Sequence, residues 1–226
     1  MKFTLILLPV VLLAASLVSG QSPPKARLYA GGIGGIATLS GDGSAVVTRS
    51  AASTSLFDPK NGGAGEVFAG IHLFEYVSFE ADYGWNRNNA ILVSTSSAPG
   101  ATSFFRGPES ITQNSFLGNV SVYFRKRGSR VRPYLSEGAG AVLIHSRLSG
   151  GAIVEGSPAL PPAASSHASV ALRTLTGIDV RLRGPWYFRY SFGETITRNA
   201  LGNQVSPSQH RIPKNFQNLF GFYLQL

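Results

Sequence analysis

The sequence predicts an all-β chain: an eight-stranded antiparallel up-and-down transmembrane β-barrel. Three observations lead there. The N-terminus has the pattern of an export signal. The rest of the chain alternates polar and apolar residues in strand-length blocks. The connections between those blocks alternate long and short without a break.

The export signal opens on Lys2, a short positive region, and continues through the apolar stretch Phe3 to Val18, interrupted by Thr4, Pro9 and Ser16. Val18-Ser19-Gly20 places small residues where a signal peptidase reads, so cleavage is expected between Gly20 and Gln21. The apolar run is shorter than the roughly 20 residues a spanning helix needs, and Gln21, Pro23 and Pro24 follow at once. The expected division is therefore 1–20 as a cleaved signal peptide and 21–226 as one barrel domain. The chain has no cysteine, which excludes a lipid anchor on a cysteine, a disulfide scaffold and thiolate metal sites. Gly 26, Pro 13 and only 14% charged residues suit short strands and turns. A mean hydropathy of +0.09 is what membrane strands with one polar face produce. The net charge of +9 points to an anionic partner. For an exported chain that is either lipid phosphates or lipopolysaccharide, or the charge simply keeps the loops soluble, with no nucleic acid expected.

The first strand covers about 27–37, so rich in glycine that its faces cannot be assigned. A loop of Gly, Ser, Thr, Ala and Asp follows through 64. Strands at about 65–74 and 77–86 meet across the tight Glu75-Tyr76 turn, and a second long loop covers about 87–111. Strands at about 113–124 and 133–145 are joined by Arg125-Lys126-Arg127-Gly128-Ser129-Arg130. A third loop, with Pro158, Pro161 and Pro162, ends near Ser166. Strands at about 168–182 and 186–196 turn at Arg183-Gly184-Pro185. A fourth loop through Pro207 and Pro213 leads to the last strand, about 216–226. A chain entering from the periplasm would set every short turn on the periplasmic side and every long loop outside, the asymmetry of outer-membrane barrels. A soluble sandwich has no reason to sort its connections this way.

The faces agree. Val77, Phe79, Ala81, Tyr83 and Trp85 share one face, and Ser78, Glu80, Asp82 and Gly84 the other. Phe116, Gly118, Val120, Val122 and Phe124 oppose Ser115, Asn119, Ser121 and Tyr123. Val170, Leu172, Ile178, Val180 and Leu182 oppose Arg173, Gly177, Asp179 and Arg181. Trp186, Phe188, Tyr190 and Phe192 oppose Arg189, Ser191 and Gly193. Charged and small residues thus share the face that would line a narrow lumen, while the apolar face meets lipid, where only a closed barrel pairs every backbone group of a strand. A soluble calycin-type barrel would invert that arrangement and extract without detergent. Trp85, Tyr83, Trp186, Tyr134 and Tyr187 are expected as interfacial girdles.

On these features the chain resembles the small outer-membrane β-barrels, the OmpA/OmpX-like eight-stranded proteins of Gram-negative envelopes. The resemblance spans about 26–226 and is carried by Leu28-Tyr29-Ala30-Gly31-Gly32-Ile33-Gly34-Gly35, by Arg132-Pro133-Tyr134-Leu135-Ser136-Glu137-Gly138-Ala139-Gly140-Ala141 and by the terminal Gly221-Phe222-Tyr223-Leu224-Gln225-Leu226. It implies that Gly221, Phe222, Leu224 and Leu226 form the signal read by the barrel-assembly machinery. Leu226 stands where relatives end in Phe, and Leu219 where they carry a polar residue. A monomer without cofactor or enzymatic activity is the expectation.

Candidate site residues are then the inward charges Glu66, Glu80, Asp82, Glu137 and Asp179 with Arg173, Arg181 and Arg189, near His72 and His145. They would act as a filter or proton path, or as a salt-bridged plug, since buried charges in a narrow barrel must pair. The plug is the expected outcome. The pair His167-Ala168-Ser169 resembles the His-x-Ser of an outer-membrane lipid A 3-O-deacylase, whose chemistry needs an orienting acid. Val170 stands where that pattern carries Asn, and Asp179 and Glu194 are the acids available. His145-Ser146 and Ser208-Gln209-His210 lack a third partner, and four scattered histidines give no metal-ligand spacing. The basic turn Arg125, Lys126, Arg127, Arg130 and Arg132 would be solvated or meet inner-leaflet phosphates. Arg49, Lys60, Arg87, Arg106, Arg147, Arg198, Arg211 and Lys214 are spread over the outer loops, where they would neutralise surface lipid phosphates. The expected function is an envelope-structural or surface-interaction role through four long external loops, with a lipid A-modifying enzyme or a narrow channel as the alternatives.

Overall fold

The computed structural model describes residues 27–40, 45–47, 52–59, 61–98, 101–156, 163–197 and 214–226. The expected export signal lies outside them, as do Pro158, Pro161, Pro162, Pro207 and Pro213. The strands are β1 (Arg27–Ser40), β2 (Ala45–Val47), β3 (Ala52–Pro59), β4 (Asn61–His72), β5 (Val77–Ala98), β6 (Ala101–Tyr123), β7 (Val131–Leu148), β8 (Ile153–Glu155), β9 (Ala164–Arg181), β10 (Trp186–Thr197) and β11 (Lys214–Gln225).

Eight of these close on themselves. β1 pairs with β4 and β11, and the circle continues β4–β5–β6–β7–β9–β10–β11, every pairing antiparallel. Closure leaves no barrel edge, the condition for placing strands in lipid. The connections 73–76, 124–130 and 182–185 gather at one end, where β1 starts and β11 finishes. Gly184 turns there with φ 62°, a conformation a Cβ would oppose.

At the opposite end the wall rises much further than the sequence suggests. Where a loop over 87–111 is expected, β5 and β6 run on as strands, paired from Val77↔Val122 to Ala98↔Ala101. β3 continues the wall on β5 from Pro59↔Ala90 to Ala52↔Ser97, β2 pairs with β3, and β8 adds to β6 at Phe104↔Glu155. Polar composition was the reason to expect loops, yet above a bilayer both faces of a strand can be wet. The interspersed Ile91, Val93, Phe104, Phe105 and Ile111 favour extended backbone.

The wall is apolar outside. Phe79, Trp85, Phe116, Val170, Trp186, Phe192, Phe220 and Phe222 are exposed, whereas Ser78, Glu80, Asp82, Ser115, Asn119, Arg173, Asp179 and Arg189 are buried inside. Closure also assigns β1: Tyr29, Ile33, Ala37 and Leu39 point inward. Tyr134 and Tyr187, expected in the girdles, are instead buried in the lumen, because their positions share parity with Arg132 and Arg189. Among the described residues, the lumen holds two apolar groups. Tyr29, Ile33, Phe68, Tyr187, Leu219 and Tyr223 fill the turn end, while Leu39, Ala90, Ile111, Leu117, Val142, Ile144 and Ala171 fill the open-loop end. Leu219 is therefore apolar for a reason, since it packs inside. Gly70 and Gly177 are seats for rings, because a Cβ on either would overlap the ring of Tyr29 or Tyr134.

Candidate functional site

The charges sit between the two apolar groups, delivered by the inward faces of four strands: Glu66 from β4, Glu80 and Asp82 from β5, Arg173 and Asp179 from β9, and Arg189 from β10. Arg189 of β10 bridges Asp179 of β9 and Glu80 of β5. Its Nε donates to Asp179 Oδ1 at 2.8 Å, Nη2 to Oδ2 at 3.1 Å and Nη1 to Glu80 Oε2 at 2.6 Å. Tyr123 and Tyr223 complete Asp179, donating to Oδ2 at 2.9 and 3.0 Å. Arg173 donates to Asp82 Oδ1 at 3.0 Å and to Glu66 Oε2, and Asn119 donates to Asp82 Oδ2. A two-pronged guanidinium suits this task, as it meets two carboxylates at once in fixed geometry. Glu66, Glu80 and Asp82 bring carboxylate oxygens within 4.8 Å of one another, a spacing a metal ion would accept, but Arg173 and Arg189 supply the positive charge there.

Aromatic rings enclose Arg189, with centroids of Phe68, Tyr223, Tyr134 and Tyr29 at 4.5, 5.0, 5.1 and 5.7 Å from its Cζ. Ring faces stabilise a cation that has lost its water. Arg132, read in the sequence as part of a basic turn, is buried instead, with its Cζ 3.7 Å over Tyr123. No pattern within β7 points to it, because Arg132, Tyr134 and Ser136 alternate with Pro133, Leu135 and Glu137 and neither row is plainly polar. Toward the open-loop end the polar contacts are neutral: Asn215 donates to Asn86 and Gln113 at 3.0 and 2.9 Å, and Asn88 to the Ala37 carbonyl at 2.8 Å. Higher still, Glu109 is buried among β5–β7. Burial pushes its carboxyl above the usual range, against a hydrogen bond from Ser146.

Two expected members do not join the network. Glu137 is on the outer face of β7, opposite Thr174, whose hydroxyl donates to it at 2.9 Å. The inward positions of that strand are Arg132, Tyr134 and Ser136, and one residue of parity moves a side chain through the wall. Arg181 ends β9 at the turn rim, exposed to solvent, because the strand stops there. His72 points inward against Ser78, whereas His145 is on the outer face of β7 with Ser166.

The His-x-Ser residues lie on β9 above the network. Ser169 Oγ donates to the Val170 carbonyl at 3.3 Å, Asp179 is committed to Arg189, and Glu194 projects from the outer face of β10. The three do not converge. Of the other two pairs, Ser208-Gln209-His210 lies outside the described residues, and His145-Ser146 is split by strand alternation, His145 outward and Ser146 buried inward. In the basic turn, Arg127 braces its neighbour: its N–H donates to Glu75 Oε1 at 2.7 Å and its Nη2 to the Phe74 carbonyl at 2.9 Å. Burial lowers its pKa, opposed by the charge of Glu75. Gly221, Phe222, Leu224 and Leu226 lie on or just after β11, paired with β1 and β10, with Phe222 and Leu226 exposed on the lipid face.

The outer membrane protein beta-barrel domain family matches residues 5–212. Among solved structures, the chain is similar to Neisserial surface protein A, with a TM-score of 0.54 at 15% identity over 91% of this chain and 100% of that one. It is also similar to the outer membrane protein OprG of Pseudomonas aeruginosa, TM-score 0.48 at 12% identity over 89% and 97%. The attachment invasion locus protein Ail of Yersinia pestis, solved with the heparin analogue sucrose octasulfate, gives 0.46 at 9% over 89% and 97%. No curated protein matches the chain in sequence.

Proposed function

Because the chain belongs to the outer membrane protein β-barrel domain family, we propose that it is a non-enzymatic integral barrel of the outer membrane, closed to solutes and acting through its tall external rim. Residues 1–20 are its export signal, and its role is to stabilise the envelope or to contact partners at the surface. The observation that supports the closed lumen is the burial of the ion-paired side chains, none of which is more than 5% exposed. Such a network blocks the bore with groups that cannot leave it without exposing unpaired charge.

Planar-bilayer recording of the purified chain tests this reading. No steady unitary current is expected, and a stable conductance step would make it a narrow channel. The enzymatic alternative is tested by expressing Ser169→Ala beside the unaltered chain and comparing lipid A acylation by mass spectrometry. The two patterns are expected to coincide.

A further inference from the structure

The outer wall carries a feature that the closed lumen does not use. Just above the apolar band, a groove of about 860 Å³ crosses β5, β6, β7 and β9. Its floor is one row of directly opposed residues: Arg87↔Thr112, Thr112↔His145 and His145↔Ser166. Ser110↔Arg147 forms the next step up. Neighbouring strands are about 4.8 Å apart, so Arg87 and Arg147 flank a gap about two strands wide with the Ser110 and Thr112 hydroxyls between them. Arg87 Nε donates to Ser110 Oγ at 3.0 Å, which holds its guanidinium against the groove, and Ser166 orients the His145 ring. Among the described residues, no aspartate or glutamate lines the groove.

Two cationic forks, an imidazole and several hydroxyls with no carboxylate among them suit a ligand that presents several anionic oxygens. The level of the groove identifies the kind of ligand. One step nearer the turn end, the outer face is Trp85, Asn114, Leu143 and Ala168, and below these stand Tyr83, Phe116 and Val170. Trp85, Tyr83, Phe116, Leu143 and Val170 are all exposed on the wall. Apolar rings and aliphatic chains thus lie directly beneath a cationic groove, the order of an amphiphile with acyl chains and a phosphorylated head. From this geometry we infer that the groove seats the phosphate of an outer-leaflet lipid, with its acyl chains on the wall below. The inference rests on the surface-interaction role proposed above and gives it a ligand class. The tall β5–β6 hairpin then has a use, since it carries Arg87 and the Ser110 and Thr112 hydroxyls up to headgroup level.

The test uses the full barrel folded in neutral phosphatidylcholine vesicles doped with bisphosphorylated lipid A or with the same lipid stripped of phosphate. Retained lipid is counted by native mass spectrometry after detergent release. The barrel is expected to keep the phosphorylated lipid. Arg87→Ser with Arg147→Ser should reduce retention about tenfold or more, while Arg125→Ser with Arg130→Ser on the opposite rim leaves it unchanged. Heat-dependent gel migration checks that each variant is folded. Equal retention of the phosphate-free lipid, or full retention by the groove variant, would overturn the site. So would displacement of the lipid by millimolar inorganic phosphate, since the groove would then take free phosphate. Conductance, which reports on the closed lumen, is measured on the same variants, so the two readings fail separately.

Discussion

Arg189→Ala is expected to destabilise the barrel by about 3–5 kcal/mol, measured as urea-induced loss of tryptophan fluorescence signal in vesicles. The reason lies less in the lost contacts than in what remains. Asp179 and Glu80 both keep their burial and lose their shared counter-charge. Asp179 retains the hydroxyls of Tyr123 and Tyr223, so Glu80 is the more exposed to the loss. Neutralising the acids together with the arginine, as Arg189→Leu with Glu80→Gln and Asp179→Asn, should recover most of the deficit, because removing the complete ion group leaves no unpaired charge buried in the lumen. A single-variant loss below about 1 kcal/mol, the range of a solvated surface pair, would show that water reaches the lumen, and the plug reading would go with it.

The second large effect has the opposite sign. Glu137→Leu is expected to stabilise the barrel by about 1–2 kcal/mol, since ionisable groups on the lipid face of a barrel are unfavourable near mid-depth. Glu137 sits on the outer face of β7 between Leu135 and Ala139, with Val120 and Thr174 opposite it. Thr174 satisfies one carboxylate oxygen, while the other is sheltered and has no hydrogen-bond partner. Leucine removes that unsatisfied atom and adds apolar surface to an apolar wall. The same urea titration reads the result. A destabilised variant would mean that Glu137 meets something other than acyl chain in the membrane, and its place in the lipid-facing wall would need another explanation.

Much of the fold was legible because a membrane barrel is written in local pattern. Alternation over β5, β10 and β11 separates Phe79, Trp186 and Phe222 from Glu80, Arg189 and Gly221 without any knowledge of their neighbours, and the short turns punctuate the strands. The pattern failed where its contrast was weak. In β7 neither face is plainly polar: Arg132, Tyr134 and Ser136 alternate with Pro133, Leu135 and Glu137, so local pattern leaves the parity open and the carboxylate of Glu137 alone suggests an inward position. It failed again above the bilayer, where no apolar solvent enforces alternation and the β5–β6 hairpin reads like a loop.

By itself, then, the amino-acid sequence determined the number of membrane strands, their direction and most of their faces, because each depends on residues next to one another in the chain. Only the tertiary structure decided which charges meet. Arg189 and Glu80 come from strands that are not neighbours in the wall, and Arg87 and Arg147 are separated by a whole hairpin. Their encounters depend on the stagger of eight strands around a closed cylinder. That stagger is a property of the circuit, set by all the pairings together, and no single segment encodes it.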